Sequence, residues 1–106
     1  MSVHFERLAQ VFRCYAPGHS FAAADEPTAM GVAARTATGE VEIMAAMGKL
    51  TRADLRDIVA QLAADGVARI IIKRRKGHAV PMGRLFHTDG KFDYFEFLPA
   101  ELEARA

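Results

Sequence analysis

The chain has 106 residues, 51% hydrophobic and 25% charged, with a formal net charge of +1. That is the mix of one globular domain, residues 1–106, and not of a disordered segment. One cysteine, Cys14, excludes an intrachain disulfide and a four-cysteine zinc site.

The near-zero charge hides an uneven distribution. Between Val67 and Lys91 stand Arg69, Lys73, Arg74, Arg75, Lys76, Arg84 and Lys91 against one acid, Asp89, so this window carries +6 and the remainder −5. No apolar run reaches signal-peptide or membrane-span length, so the expected location is cytoplasmic, with no membrane partner.

In chain order, Phe5, Leu8, Ala9, Phe12 and Tyr15 recur at three- and four-residue steps. They predict a first helix over Val3–Tyr15, capped by Ser2 and ended by Ala16-Pro17-Gly18. His19–Pro27 reads as a loop. Thr28–Arg35 and Gly39–Met47 read as two strands of a hairpin turning at Thr36–Gly39. Thr51–Asp65 reads as a second helix. Thr51 is its N-cap, Asp54 its third residue, Leu55, Ile58, Val59 and Leu62 its buried stripe, and Gly66 its stop.

Val67–Arg74, with Ile70-Ile71-Ile72, predicts a strand covered on both faces and a parallel βαβ crossover from Glu40 to Lys73. Arg84–His87 and Lys91–Leu98 flank Thr88-Asp89-Gly90, a hairpin signal. Ala100–Ala106 is a short polar tail with helical character. The fold class is therefore α+β, a single small domain with a mixed sheet of about five strands and two helices, in the order α-β-β-α-β-(β)-β.

From Gly31 to Ile72, GVAARTATGEVEIMAAMGKLTRADLRDIVAQLAADGVARIII, the chain resembles a shortened member of the GCN5-related N-acetyltransferase superfamily. The resemblance implies a strand that splays from its neighbour beside the crossover helix. Acetyl-CoA would lie in the splay, its pyrophosphate at the helix start. On this chain that start offers Gly48, Lys49, Thr51 and Arg52. The family's glycine-rich string is absent there. Arg74-Arg75-Lys76-Gly77-His78-Ala79 matches it but follows the wrong strand, and Pro81 and Gly83 bar the long helix that should come next.

Lys73-Arg74-Arg75-Lys76, with His78 and Arg84, is the second candidate site. It suits a phosphate-bearing ligand, or nucleic acid with Phe86 and Phe92–Phe97 as stacking surfaces. The plainer reading is a solvated strand exit. His4, His19, His78 and His87 show no metal-ligand spacing, although His87 lies near Asp89. Cys14 reads as a buried helix residue, and Glu40 with Glu42 as a general base in an acetyltransferase-like site or as a solvated face. Phe92 and Tyr94 point opposite to Phe95 and Phe97, so both faces of the last strand need cover, and a homo-oligomer would supply it. The first expectation is a small cytosolic binding or assembly domain without catalysis. An acetyl-CoA-binding protein comes second, and a nucleic-acid contact third.

Overall fold

The computed structural model describes residues 2, 3, 5, 8–78 and 80–105. In chain order the elements are β1 (Ala9–Cys14), β2 (Ala29–Ala37), β3 (Glu40–Gly48), α1 (Arg52–Ala64), β4 (Arg69–Arg75), β5 (Arg84–Thr88), β6 (Phe92–Phe97) and α2 (Pro99–Arg105). The six strands form one mixed sheet in the order β1-β2-β3-β4-β6-β5. The α+β class stands, with one strand more than predicted and a different start. Among the described residues no helix is long and apolar enough to cross a membrane.

The predicted first helix is instead the edge strand β1, antiparallel to β2. His4, Glu6 and Arg7 of that predicted helix lie outside the described residues. The correction has a physical cause. A short run such as Gln10-Val11-Phe12-Arg13-Cys14 fits a two-residue period as well as a helical one, and pairing decides between them. Phe12 stands opposite Gly31 in the ladder. A Cβ at Gly31 would lie 2.5 Å from the Phe12 ring, so the glycine makes the room that lets the ring settle on β2.

The hairpin β2–β3 and the crossover β3–α1–β4 follow the predicted pattern. Strands β3 and β4 are parallel. Thr51 caps α1 with both arms of a capping box: its hydroxyl accepts from the Asp54 amide at 3.1 Å, and its own amide donates to the Asp54 carboxylate at 3.0 Å. Leu55, Val59 and Leu62 of α1 join Val41, Ile43, Ile70, Ile72 and Phe97 in one core. Each such side chain contributes roughly 1.5–3 kcal/mol on burial. Pro99 both ends β6 and opens α2, the first helical position where a missing N–H costs nothing. Helix α2 rests beside α1, so both helices share one side of the sheet.

Among the described residues the opposite face has no helix, and the expectation that β4 is covered on both faces fails there: Ile70 and Ile72 are buried, while Ile71 is half-buried. A chain of charges occupies that face. Arg69 donates to Glu40 at 3.0 Å and to Glu96 at 2.6 Å, and Glu96 also accepts from Arg84. Arg84 and Arg69 hold the Glu96 carboxyl below the usual carboxylate range. Thr36 and then Arg69 do the same for Glu40. Strand β6 is fully covered on one face only: Phe97 faces the core, while on the other face Phe92 and Tyr94 stay half-buried, with the Lys73 ammonium 4.4 Å from the Phe92 ring centre and 5.9 Å from that of Tyr94.

Two expected outcomes follow from this packing. Gly48 has φ +81°, and a Cβ there would sit 2.3 Å from the Thr28 carbonyl oxygen. Gly48→Ala should therefore lower the unfolding free energy by at least ~2 kcal/mol, read as a shifted urea midpoint at unchanged slope. Glu96 has a lowered folded-state pKa, so its stabilisation is present above the ordinary carboxylate pKa and fades as pH falls through the folded value. Glu96→Gln should be less stable than the parent at pH 7, and the two midpoints should converge in acid.

Candidate functional site

The β3–β4 ladder is short. It pairs Glu40–Ile43 with Arg69–Ile72 and stops. Beyond it, β3 continues beside β2 as far as Gly48 opposite Ala29, and β4 continues beside β6 as far as Arg75 opposite Phe92. The cause of the divergence lies in β3. Between the pairs Met30–Met47 and Val32–Met44, β3 carries one residue more than β2. Such a bulge bends its strand and increases the local twist, here turning the end of β3 away from β4.

The gap is an open cleft of about 730 Å³. Met47, Gly48 and Lys49 line one side, and Lys73, Arg74 and Arg75 the other, with Leu50, Gly77, His78 and Phe92 completing it. Among the described residues no acidic one lines it. The backbone edges of Met44–Met47 and Lys73–Arg75 that face the gap have no ladder partner.

Arg74 is the centre of this site. Strand alternation turns it toward the α1 side, and it is 8% exposed. Its Nη2 donates to the Gly48 carbonyl at 3.3 Å and lies 3.3 Å from His78 Nδ1. Among the described residues no carboxylate pairs with it. A guanidinium carries five donors and a fixed charge, and neither the Gly48 carbonyl nor the His78 ring nitrogen brings a negative charge to it, so donors and charge are left in excess.

The two sets of candidate residues thus meet only in part. Gly48 and Lys49 from the helix-start set share the cleft with Lys73, Arg74, Arg75 and His78 from the basic set. Thr51 and Arg52 do not line it. The Thr51 amide is already taken by Asp54, whose carboxylate sits where an anion at the helix start would go. Gly48 has a backbone reason for being glycine, as its close approach to Thr28 shows. Lys76 is exposed and outside the lining, and Arg84 is tied to Glu96 on the open face. Alternation therefore splits the basic run between two faces. Ala79, the last residue of the string beginning at Arg74, lies outside the described residues.

Other candidates lie elsewhere. Glu40 and Glu42 sit at the paired end of β3, away from the gap. The Asp89 carboxylate accepts from the Lys91 and Phe92 amides and the Tyr94 hydroxyl, holding the β5–β6 turn, while His87 stacks against Tyr94 at 5.1 Å. Burial first, then Asp54 and Asp57, pushes the Cys14 thiol up to about 11, the reverse of what a nucleophile requires. Among the described residues no three histidine, cysteine or acidic side chains cluster as metal ligands. Met47, Leu50 and the placement of Phe92 were not signalled by sequence. Phe92 reaches the cleft only because β6 lies beside β4. Comparison with known proteins finds no matching family, no matching curated sequence and no matching solved structure.

A buried charge lacking a counter-ion can be replaced by an apolar side chain of similar reach without loss. Arg74→Met should have a Tm equal to or above that of the parent. A destabilisation beyond ~1 kcal/mol would mean that Gly48 and His78 satisfy the guanidinium by themselves.

Proposed function

We propose that this chain is a binding domain that takes a phosphate-bearing ligand in the splayed cleft, with a phosphate on the Arg74 guanidinium. The observation that carries this reading is the arginine itself: 8% exposed, at the wall of the cleft, with neither a carboxylate partner nor an acid in the cleft lining among the described residues. Phosphate matches the planar fork of a guanidinium with two parallel hydrogen bonds. Lys49, Lys73 and Arg75 add longer-range attraction from the rim.

A second reading, acetyl-CoA as the ligand, has its own support in the splay. A parallel pair that opens into two unpartnered strand edges suits an extended chain bearing amides, and the pantetheine arm of acetyl-CoA is one. On this reading the pyrophosphate rests on Arg74 and not on the capped start of α1. Nucleic acid is the weaker candidate, because a divided basic run and a balanced chain offer no continuous cationic surface.

Thermal shift distinguishes these ligands. At a hundredfold excess over Kd a ligand adds about 2.7 kcal/mol, which raises the Tm of a domain this size by roughly 10–20 °C. Pyrophosphate should raise Tm, and Arg74→Ala should remove the shift. Acetyl-CoA should exceed pyrophosphate at equal concentration if its amide chain enters the gap. No shift with either ligand at millimolar concentration would sink both readings.

A further inference from the structure

We propose that the groove between α1 and the outer strands β1 and β2 docks an amphipathic helix of a partner protein, one whose flank carries lysine or arginine. This surface is separate from the cleft and does not depend on its ligand.

The groove follows from the layer arithmetic of the fold. One 13-residue helix, with the short α2 beside it, serves a six-stranded sheet. Helix α1 roofs Ile43, Ile70 and Ile72, which are fully buried. On the same side, β1 and the outer flank of β2 are left beside the helix with a groove of about 660 Å³ between them. Its apolar surface is that of the half-buried Phe12 and Ile58, with Ala33 and Leu62 beneath them. Helices packed on a sheet lie about 8–10 Å apart, so the space alongside α1 is where a second helix of the same layer would lie.

The wall of the groove selects the kind of helix. Asp54, Asp57, Gln61 and Asp65 line it from α1. Their steps of three, four and four residues set them in one stripe along the helix. None of the three aspartates is in an ion pair among the described residues. Arg13 and His19 stand on the opposite lip, and the Arg13 guanidinium is turned onto Phe21, 5.5 Å from the ring centre. An apolar surface beside an acidic wall complements a helix with leucine-like residues on one face and cations on the adjoining flank. The raised pKa of Cys14, also in the groove, has the same two causes, burial and the nearby Asp54 and Asp57. A second copy of this chain has no such helix among its described residues: α1 is the wall itself, and α2, Pro-Ala-Glu-Leu-Glu-Ala-Arg, carries two acids and one base.

The test uses the full chain and two labelled synthetic helical peptides with the same leucine face, one flanked by lysines and one by glutamates. Fluorescence anisotropy should show the lysine peptide binding the parent, more weakly as salt is raised. Asp57→Lys with Asp65→Lys, two exposed positions, should weaken that binding at least tenfold and tighten the glutamate peptide by a similar factor. Circular dichroism checks that the variant is folded, and Asp57→Asn with Asp65→Asn provides a milder version in which lysine-peptide binding falls without the swap. The proposal is overturned if the lysine peptide does not bind the parent, if both peptides bind alike, or if the charge swap leaves the preference unchanged. It is also overturned if light scattering finds a dimer that the swap turns into monomer, since the groove would then hold a second copy.

Discussion

The extra residue of β3 opposite Gly31 is the constraint on which the site depends. A strand in the middle of a sheet must satisfy two neighbours at once. Strand β3 does so for four residues, and then the bulge commits it to β2 alone. That commitment is sealed at its end, where Gly48 passes so close to Thr28 that no side chain fits. Strand β4 keeps its alliance with β6, and the space between becomes the cleft. Arg74 bridges part of it, reaching from β4 to the Gly48 carbonyl. The same bulge is tied to the outer sheet, since the Cα of Ala46 lies 3.4 Å from the Cβ position of Gly31, on which the Phe12 ring rests.

Charge follows this geometry. The basic window between Val67 and Lys91 is less basic in space than in sequence, because Glu40 and Glu96 neutralise Arg69 and Arg84 on the open face. Of what is left, Lys73, Arg74 and Arg75 line the cleft, while Lys76 and Lys91 stand outside it. The acids that balance it include the stripe along α1, which faces the groove over β1 and β2. The helix thus starts near a cationic cleft and borders an acidic groove, although the chain as a whole is almost neutral.

The local units of the fold were legible in the sequence. The capping box at Thr51 and Asp54, the Ile-rich strand, the turn at Asp89 and the parallel crossover all have chemistry that acts within a few residues or through a clear period. The first strand was not legible, because Leu8, Phe12 and Tyr15 satisfy a helical spacing until Gly31 is known to lie beneath the Phe12 ring. The bulge left no mark either, as Met44-Ala45-Ala46-Met47 contains neither glycine nor a turn residue. Half of the cleft was legible: its cations stand in two short clusters that a parallel crossover brings to the same end of the sheet. The pairing of Arg69 with Glu96, and of Arg75 with Phe92, depends on β6 entering between β4 and β5, an ordering that chain sequence does not reveal.

The short parallel ladder also bears on how the chain reaches this structure. On one half of the sheet β2 and β3 form a hairpin closed by a short loop, with β1 joined across the longer segment 15–28; on the other, β5 and β6 form a hairpin closed by a short loop. The four rungs between β3 and β4 join these halves, and the loop they close includes all of α1. Closing that loop costs entropy before four rungs can repay it. Leu55, Val59 and Leu62 of α1 supply the buried contacts that help offset that cost.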